Sequence, residues 1–422
     1  MIPLHCLFLT TALAGQALDS AALGLVSTDT AVAFTYERFG IRLLRAAVRH
    51  SSPDSSRVLS PLSAGQALAL AFGAAKDSTA LAIALGLDIG SLSADGLAVR
   101  NHWFNEMVRT RRDIVLRVAN GFWVDTSAML RPAFARWARD RYGAAVQTLP
   151  LRSAQFVAIL NRWADSTTDG AIRRIRDKPF RDSVKVVLAN AIYFKGDWLE
   201  PFDSSLTQDR LFTTAAGALI TTPTMNRTAT FAFRQGPGYR TLRIPYASGL
   251  TAMYIVLPDS GVRASTVLED LERTGWPLPI PRTETRTVHV QLPRLHVERG
   301  TDLRPALTDL DMGILFDSSR ADFGGLVLRR PDQPPFCPPL SSGVHLLACL
   351  RYRISDAAQR VYLDVNEAGT VAAAVTTLAF EIDLRGRPIP IEFIVDHPFL
   401  FALRDERTGT LLLVGYVASP RE

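Results

Sequence analysis

The hydrophobic pattern of this chain shifts from mainly helical to mainly strand-like near its middle, and that shift limits the folds open to it. Up to about residue 170, apart from one strand-like run, apolar residues recur at steps of three and four, whereas from Ser183 onward they gather into short β-rich runs. Tyr36, Phe39, Leu43 and Ala47 share one face of a helix over residues 32–48, with Arg38, Arg42 and Arg45 turned to water. Ser60-Pro61 supplies a capping hydroxyl and a first-turn proline for a second helix that runs through residues 64–75. That helix is apolar on nearly all sides, so it is expected to be buried. Residues 115–124 read as a strand. A helix then starts near Pro132, carries Phe134, Trp137 and Tyr142 and stops at Gly143, and Phe156, Leu160 and Trp163 begin another. Strands follow at 184–194, 239–246, 250–257, 288–295, 361–365 and 391–395. Helices first and strands later predict an α+β domain.

No internal repeat or linker divides the chain, so one domain is expected over residues 30–422. The exception is a Pro-rich tract at 329–350 that cannot be regular helix or strand and reads as an insert. Residues 1–17 form an apolar leader that ends in Ala12-Leu13-Ala14, a pattern a signal peptidase cuts, although no basic residue precedes it. The expectation is therefore a secreted protein, extracellular or periplasmic. Cys6 would leave with the leader, and Cys337 and Cys349 then remain either as one disulfide within the insert or as two unpaired thiols.

All but Lys76, Lys178, Lys185 and Lys195 of the 47 basic residues are arginine, and the net charge is +6. Arg100, Arg109, Arg111 and Arg112 are a weak candidate for polyanion binding, because Asn105, Glu106 and Asp113 interrupt them; a solvated helix face is the plainer reading. No apolar run is long enough to span a membrane, and neither a nucleic-acid nor a membrane partner is expected. The chain contains no G-x-S-x-G, H-E-x-x-H, Walker or G-x-G-x-x-G motif, and its seven histidines are scattered. Neither an enzyme nor a metal or cofactor site is expected.

One segment resists this fold logic. Asn366-Glu367-Ala368-Gly369-Thr370-Val371-Ala372-Ala373-Ala374-Val375-Thr376-Thr377 holds no large side chain. A core strand would carry Ile, Phe or Tyr, and a turn more Gly, Pro or Asn. If extended, it sets Thr370, Ala372, Ala374 and Thr376 on one face, all small. Such a face can enter between the strands of a sheet without overpacking it, whereas a linker would need no such pattern.

Several blocks resemble the serpin family. Ser60-Pro61-Leu62-Ser63 is similar to its S-P-x-S opening, and Ala119-Asn120-Gly121-Phe122-Trp123-Val124 to its A-N-x-x-W/F-V strand. The most specific block is Asn190-Ala191-Ile192-Tyr193-Phe194-Lys195-Gly196-Asp197-Trp198, followed by Phe202, Thr207, Phe212 and Met225. Pro245-Tyr246, Leu292-Pro293, Ala321-Asp322-Phe323, Asp396-His397-Pro398-Phe399-Leu400 and Gly415-Tyr416-Val417 follow in family order, so the likeness covers about residues 34–420.

The resemblance implies a serpin fold of three β-sheets and about nine helices, a monomer that inhibits a serine or cysteine protease, and an exposed reactive loop at 367–390. Its hinge comprises Glu367, Gly369, Thr370, Ala372, Ala373, Ala374 and Thr376. It implies a suicide-substrate mechanism in which the loop is cut, remains acylated to the protease and inserts into the central sheet. Counting sixteen residues from Glu367 sets the attacked residue at Asp383; Leu384 and Arg385 are the neighbouring candidates. Ser60, Ser63, Asn190, Trp198 and Gln359 fall in the region where the sheet opens, with Gln359 where many members carry histidine. The alternative within the family is a non-inhibitory member with a binding, carrier or chaperone role, disfavoured by the small hinge residues.

Overall fold

The computed structural model describes residues 36–276, 280, 284–329, 351–370 and 389–421. The leader, Cys337 and Cys349, and the segment containing Ala372, Ala373, Ala374, Thr376, Asp383, Leu384 and Arg385 lie outside the described residues.

Helices dominate the first half. Residues 36–49 form the opening helix, with Tyr36, Phe39, Leu43 and Leu44 buried. The Ser60 side chain caps helix Pro61–Phe72 by accepting from the Ser63 amide, and Pro61 sits in the first turn, where a missing N–H costs nothing. This helix carries no ionic side chain, and every residue from Pro61 to Ala71 is buried, as its all-round apolarity predicts. Helices Asp77–Leu87, Ala94–Arg109, Pro132–Tyr142 and Ala154–Thr167 follow, and later Ala264–Thr274 and the short Arg304–Leu307. Gly143 ends the Pro132–Tyr142 helix at φ +59°, in the left-handed region where a side chain would be strained. Eight α-helices are thus present among the described residues, against about nine implied.

Three sheets are present. The largest has nine strands, running Arg57–Leu59, Leu411–Val417, Phe399–Asp405, Thr251–Pro258, Tyr239–Pro245, Leu219–Gly236, Thr285–Pro293 and Ile391–Ile394, with Gln208–Thr213 also beside Leu219–Gly236. The smallest pairs Val327–Leu328 with Met129–Leu130. The central sheet orders Leu295–Asp302, Asp356–Val365, Gly369–Thr370, Val186–Asp197, Ile114–Asp125 and Ala145–Leu149.

Strand Val186–Asp197 is buried from Val186 to Phe194 because both of its faces are covered. Helix Pro61–Phe72 lies on one side; on the other, Phe156, Leu160 and Ala164 of helix Ala154–Thr167 pack over Val187, Ala189 and Ala191. In its lower part this strand pairs directly with Asp356–Val365, in parallel, from Val187 opposite Asp356 to Tyr193 opposite Tyr362. Gly369–Thr370 occupies the top of the same seam.

Candidate functional site: the hinge and the floor of the central sheet

Strand Asp356–Val365 ends in a tight reversal. The Asn366 amide donates to the Gly369 carbonyl at 2.8 Å, and the Gly369 amide donates back to Asn366 at 3.2 Å. The chain therefore turns into the sheet it has just left. Thr370 pairs antiparallel with Val365 on one side, and Gly369 and Thr370 pair antiparallel with Asp197 and Gly196 on the other. Gly369 has φ +155°, and a Cβ there would lie 2.2 Å from the Gly196 carbonyl oxygen and 2.6 Å from the Asp197 Cα. Backbone meets backbone at this point, so only glycine fits.

The block Asn190–Trp198 supplies the groups that hold the turn. Trp198 donates its amide to the Ala368 carbonyl at 2.8 Å and its indole N–H to the Asn366 carbonyl at 2.9 Å, while the Phe202 amide donates to Glu367 at 2.8 Å. Trp198 stacks on Tyr246 with ring centroids 4.4 Å apart. The Tyr246 phenol shares a 2.7 Å hydrogen bond with the Thr370 hydroxyl, both fully buried. Burial pushes the phenol far above its ordinary pKa, opposed by the bond to Thr370, so it stays neutral.

Glu367 is buried under the turn. Its carboxylate accepts from Arg294 Nε at 2.9 Å and Nη2 at 2.7 Å, and from the Thr207 hydroxyl at 2.5 Å. Burial alone would raise its pKa, but the bonds from Arg294 and Thr207 outweigh this and hold the carboxyl below the usual range.

These contacts correct one expectation. The segment 367–390 does not begin as an exposed loop: Glu367, Gly369 and Thr370 are buried, because the turn at Asn366 folds them back against Trp198, Tyr246 and Arg294. Ile389, at the other end, is 92% exposed.

Beneath the sheet the structure brings together Ser60, Ser63, Asn190 and Gln359. The Ser60 amide donates to Gln359 Oε1 at 2.8 Å, and Gln359 Nε2 donates back to the Ser60 carbonyl at 3.1 Å and to Asn190 Oδ1 at 3.3 Å. Asn190 accepts from the Ser63 hydroxyl and donates to the Ser63 carbonyl and, at 2.9 Å, to Asn120 Oδ1. All five residues are buried. This polar cluster ties the start of helix Pro61–Phe72 to the two strands of the parallel seam. Immediately below it a void of about 20 Å³ lies among Ala64, Leu68, Leu188, Leu303, Ile354 and Ala357.

Two members of the arginine cluster are held in ion pairs. Arg111 is 5% exposed and ion-paired with Asp113 and Asp405, and Arg109 pairs with Glu106 at 2.6 Å. Among the described residues no group of three or more His, Cys, Asp or Glu assembles as a metal site, and no helix is long and apolar enough to cross a membrane. Sequence reasoning did not single out Arg294 or Thr207 as partners of Glu367, nor Tyr246 as the partner of Thr370. Thr207 and Tyr246 sat within the family blocks, but nothing local pointed to residues more than a hundred positions away.

Residues 35–420 match the model of the family described as serpin, serine protease inhibitor. The chain is a serpin. It is 30% identical over 412 residues to Serpin-Z1C of Triticum aestivum, covering 94% of this chain and 98% of that protein, and 31% identical over 425 residues to Serpin-Z2A of the same plant. Among solved structures it resembles Arabidopsis AtSerpin1 in its native stressed conformation, at 26% identity and TM-score 0.76, covering 93% of this chain and 98% of that one. The thermophilic serpin Tengpin in its native state gives the same TM-score at 22% identity, covering 92% of this chain and 94% of that one, which bears on the fold alone. Serpins are a family of protease inhibitors rather than of catalysts, and the partner implied for this serpin is a protease.

Proposed function

We propose that this serpin acts as a suicide substrate for a serine protease, with a cysteine protease as the other candidate class. The protease nucleophile attacks the carbonyl carbon of Asp383, Leu384 or Arg385, and the amine of the following residue leaves. The loop upstream stays attached through the new acyl bond. It then enters the central sheet from the hinge, where about 14 residues at about 3.3 Å each would carry the tethered protease tens of ångströms.

The observation that carries this reading is the position of Gly369–Thr370, already antiparallel to Val365 on one side and to Gly196 and Asp197 on the other. Below them the sheet is closed by a parallel pair, and a third strand would replace that ladder with two antiparallel ones, the slightly more stable kind per residue. Ser60, Ser63, Asn190, Gln359 and Trp198 are read as the groups that hold the seam until then. Export is part of this reading and is supported by the leader at residues 1–17.

The test is to mix the protein with chymotrypsin-, subtilisin- and trypsin-like proteases and run denaturing gels. A covalent band is expected, and sequencing the released C-terminal peptide identifies the bond. Ala374→Arg should abolish the band while cleavage continues, because a guanidinium cannot enter the sheet unpaired. Clean cleavage of the unaltered protein with no band would sink the proposal in favour of a binding, carrier or chaperone serpin.

A further inference from the structure

A cleft of about 1010 Å³ opens among the described residues, at the upper end of the ~300–1,000 Å³ usual for small-molecule sites. Three parts of the fold wall it. The end of the opening helix and the turn after it contribute Val48, Ser51 and Ser52. The loop before helix Ala264–Thr274 and the first turn of that helix form a second wall, and Glu392, Ile394 and Asp396, which follow the reactive loop, form the third. Tyr416, from strand Leu411–Val417, also lines it.

The cleft holds donors with nothing to bond. Tyr416 is 7% exposed, yet its hydroxyl has no hydrogen-bond partner among the described residues and is not sealed off by protein. Burial pushes this phenol above its ordinary pKa, and the Asp54 carboxylate adds to the effect, so it stays a neutral donor. Helix Ala264–Thr274 starts at Arg263 without a side-chain cap. The amides of Thr266 and Val267 reach the Arg263 carbonyl, which leaves those of Ala264 and Ser265 open. Such a helix start by itself favours an anion, but the acceptors in the same walls oppose one. His289 engages Glu392 Oε2 and His397 engages Asp396 Oδ1, each at 2.7 Å, and the second oxygen of each carboxylate has no partner among the described residues. The hydroxyls of Ser52, Ser260 and Ser265, able to donate and accept, complete the lining.

We propose that this cleft binds a neutral saccharide of one or two rings, held between the first turn of helix Ala264–Thr274, the Tyr416 hydroxyl and the carboxylates of Glu392 and Asp396. A sugar hydroxyl both donates and accepts. One such ligand therefore serves the open amides and the phenol with its oxygens, and the open carboxylate oxygens with its O–H groups. A phosphate or sulfate ester would satisfy the donors but meet two carboxylates of its own sign, and an apolar ligand would leave both kinds of group unpaired. None of the residues that hold Gly369 and Thr370 lines the cleft, so binding does not require the loop to insert.

The test is titration of the full chain with glucose, maltose and sucrose, and with inorganic phosphate as the anionic probe, followed by calorimetry and saturation-transfer NMR. Affinity is read from the titration and not from thermal stability, because concentrated sugars stabilise proteins without binding them. At least one of the three sugars should bind saturably, and phosphate should not displace it. Tyr416→Phe should weaken that binding about fivefold, the loss of one hydrogen bond, and leave the unfolding midpoint unmoved. Ser260→Trp, at an exposed position in the lining, should abolish binding by filling the cleft. Saturable binding by none of the three sugars, displacement by phosphate, or binding that either variant leaves unchanged overturns the proposal. A lowered midpoint in Tyr416→Phe would show the hydroxyl to be engaged already, and overturns it too.

Discussion

Tyr246 and Thr370, 124 positions apart in the chain, share one buried hydrogen bond of 2.7 Å, and through it the nine-stranded sheet holds the start of the hinge inside the central one. Tyr246→Phe keeps the ring on Trp198 and removes the hydroxyl alone. The orphaned Thr370 hydroxyl should cost the intact protein about 1–3 kcal/mol in urea unfolding. Thr370→Val should cost a comparable amount, and the two together clearly less than their sum, because they delete the same bond.

Gly369→Ala should expel the hinge. The added methyl meets backbone that cannot yield, at a φ that L residues seldom adopt, a strain of order 1–3 kcal/mol. The turn at Asn366 would open in response. The expected result is loss of amide-exchange protection at Thr370, with the far strands Ile114–Asp125 and Ala145–Leu149 unchanged; retained protection would show that the slot tolerates a side chain.

Glu367 makes stability depend on acid. Its folded pKa is depressed, so the unfolded chain takes up a proton near the ordinary glutamate value of about 4.3 while the folded protein still declines one. The contribution of this group is therefore complete above that pH and is lost as pH falls through the folded value. Glu367→Gln should be less stable than the unaltered protein near neutrality, and the gap should close in the acid range. Stability measured at fixed ionic strength from pH 7 to 3 checks this; a gap that stays constant would mean that packing rather than charge holds the position.

Much of the frame was legible because it is local. Ser60 and Pro61 mark a helix start and Gly143 a helix end through the conformations those residue types prefer, and each lies where expected. The strand expected over 288–295 is really two, Thr285–Pro293 and Leu295–Asp302, which belong to different sheets and are separated at Arg294. An apolar alternation that runs through a break gives no sign of it. The strand expected at 361–365 begins earlier, at Asp356, because buried Gln359 interrupts the apolar pattern with a polar group serving the network beneath. Helix Asp77–Leu87 was not foreseen: Leu81 and Leu85 lie on its exposed side, so its periodicity points the wrong way. The partners of the hinge were illegible for a different reason, since Arg294, Thr207 and Tyr246 meet it only after both sheets have formed.

The parallel contact between Asp356–Tyr362 and Val187–Tyr193 is the ladder in the central sheet that a third strand could replace with two. On the proposed mechanism this exchange runs downhill and is not reversed by releasing a product, so each molecule is a single-use reagent. The capacity of such a protein is then counted in moles. The amount made, and not any turnover number, would decide how much protease is removed, and every molecule whose loop inserts without a captive is subtracted from that dose.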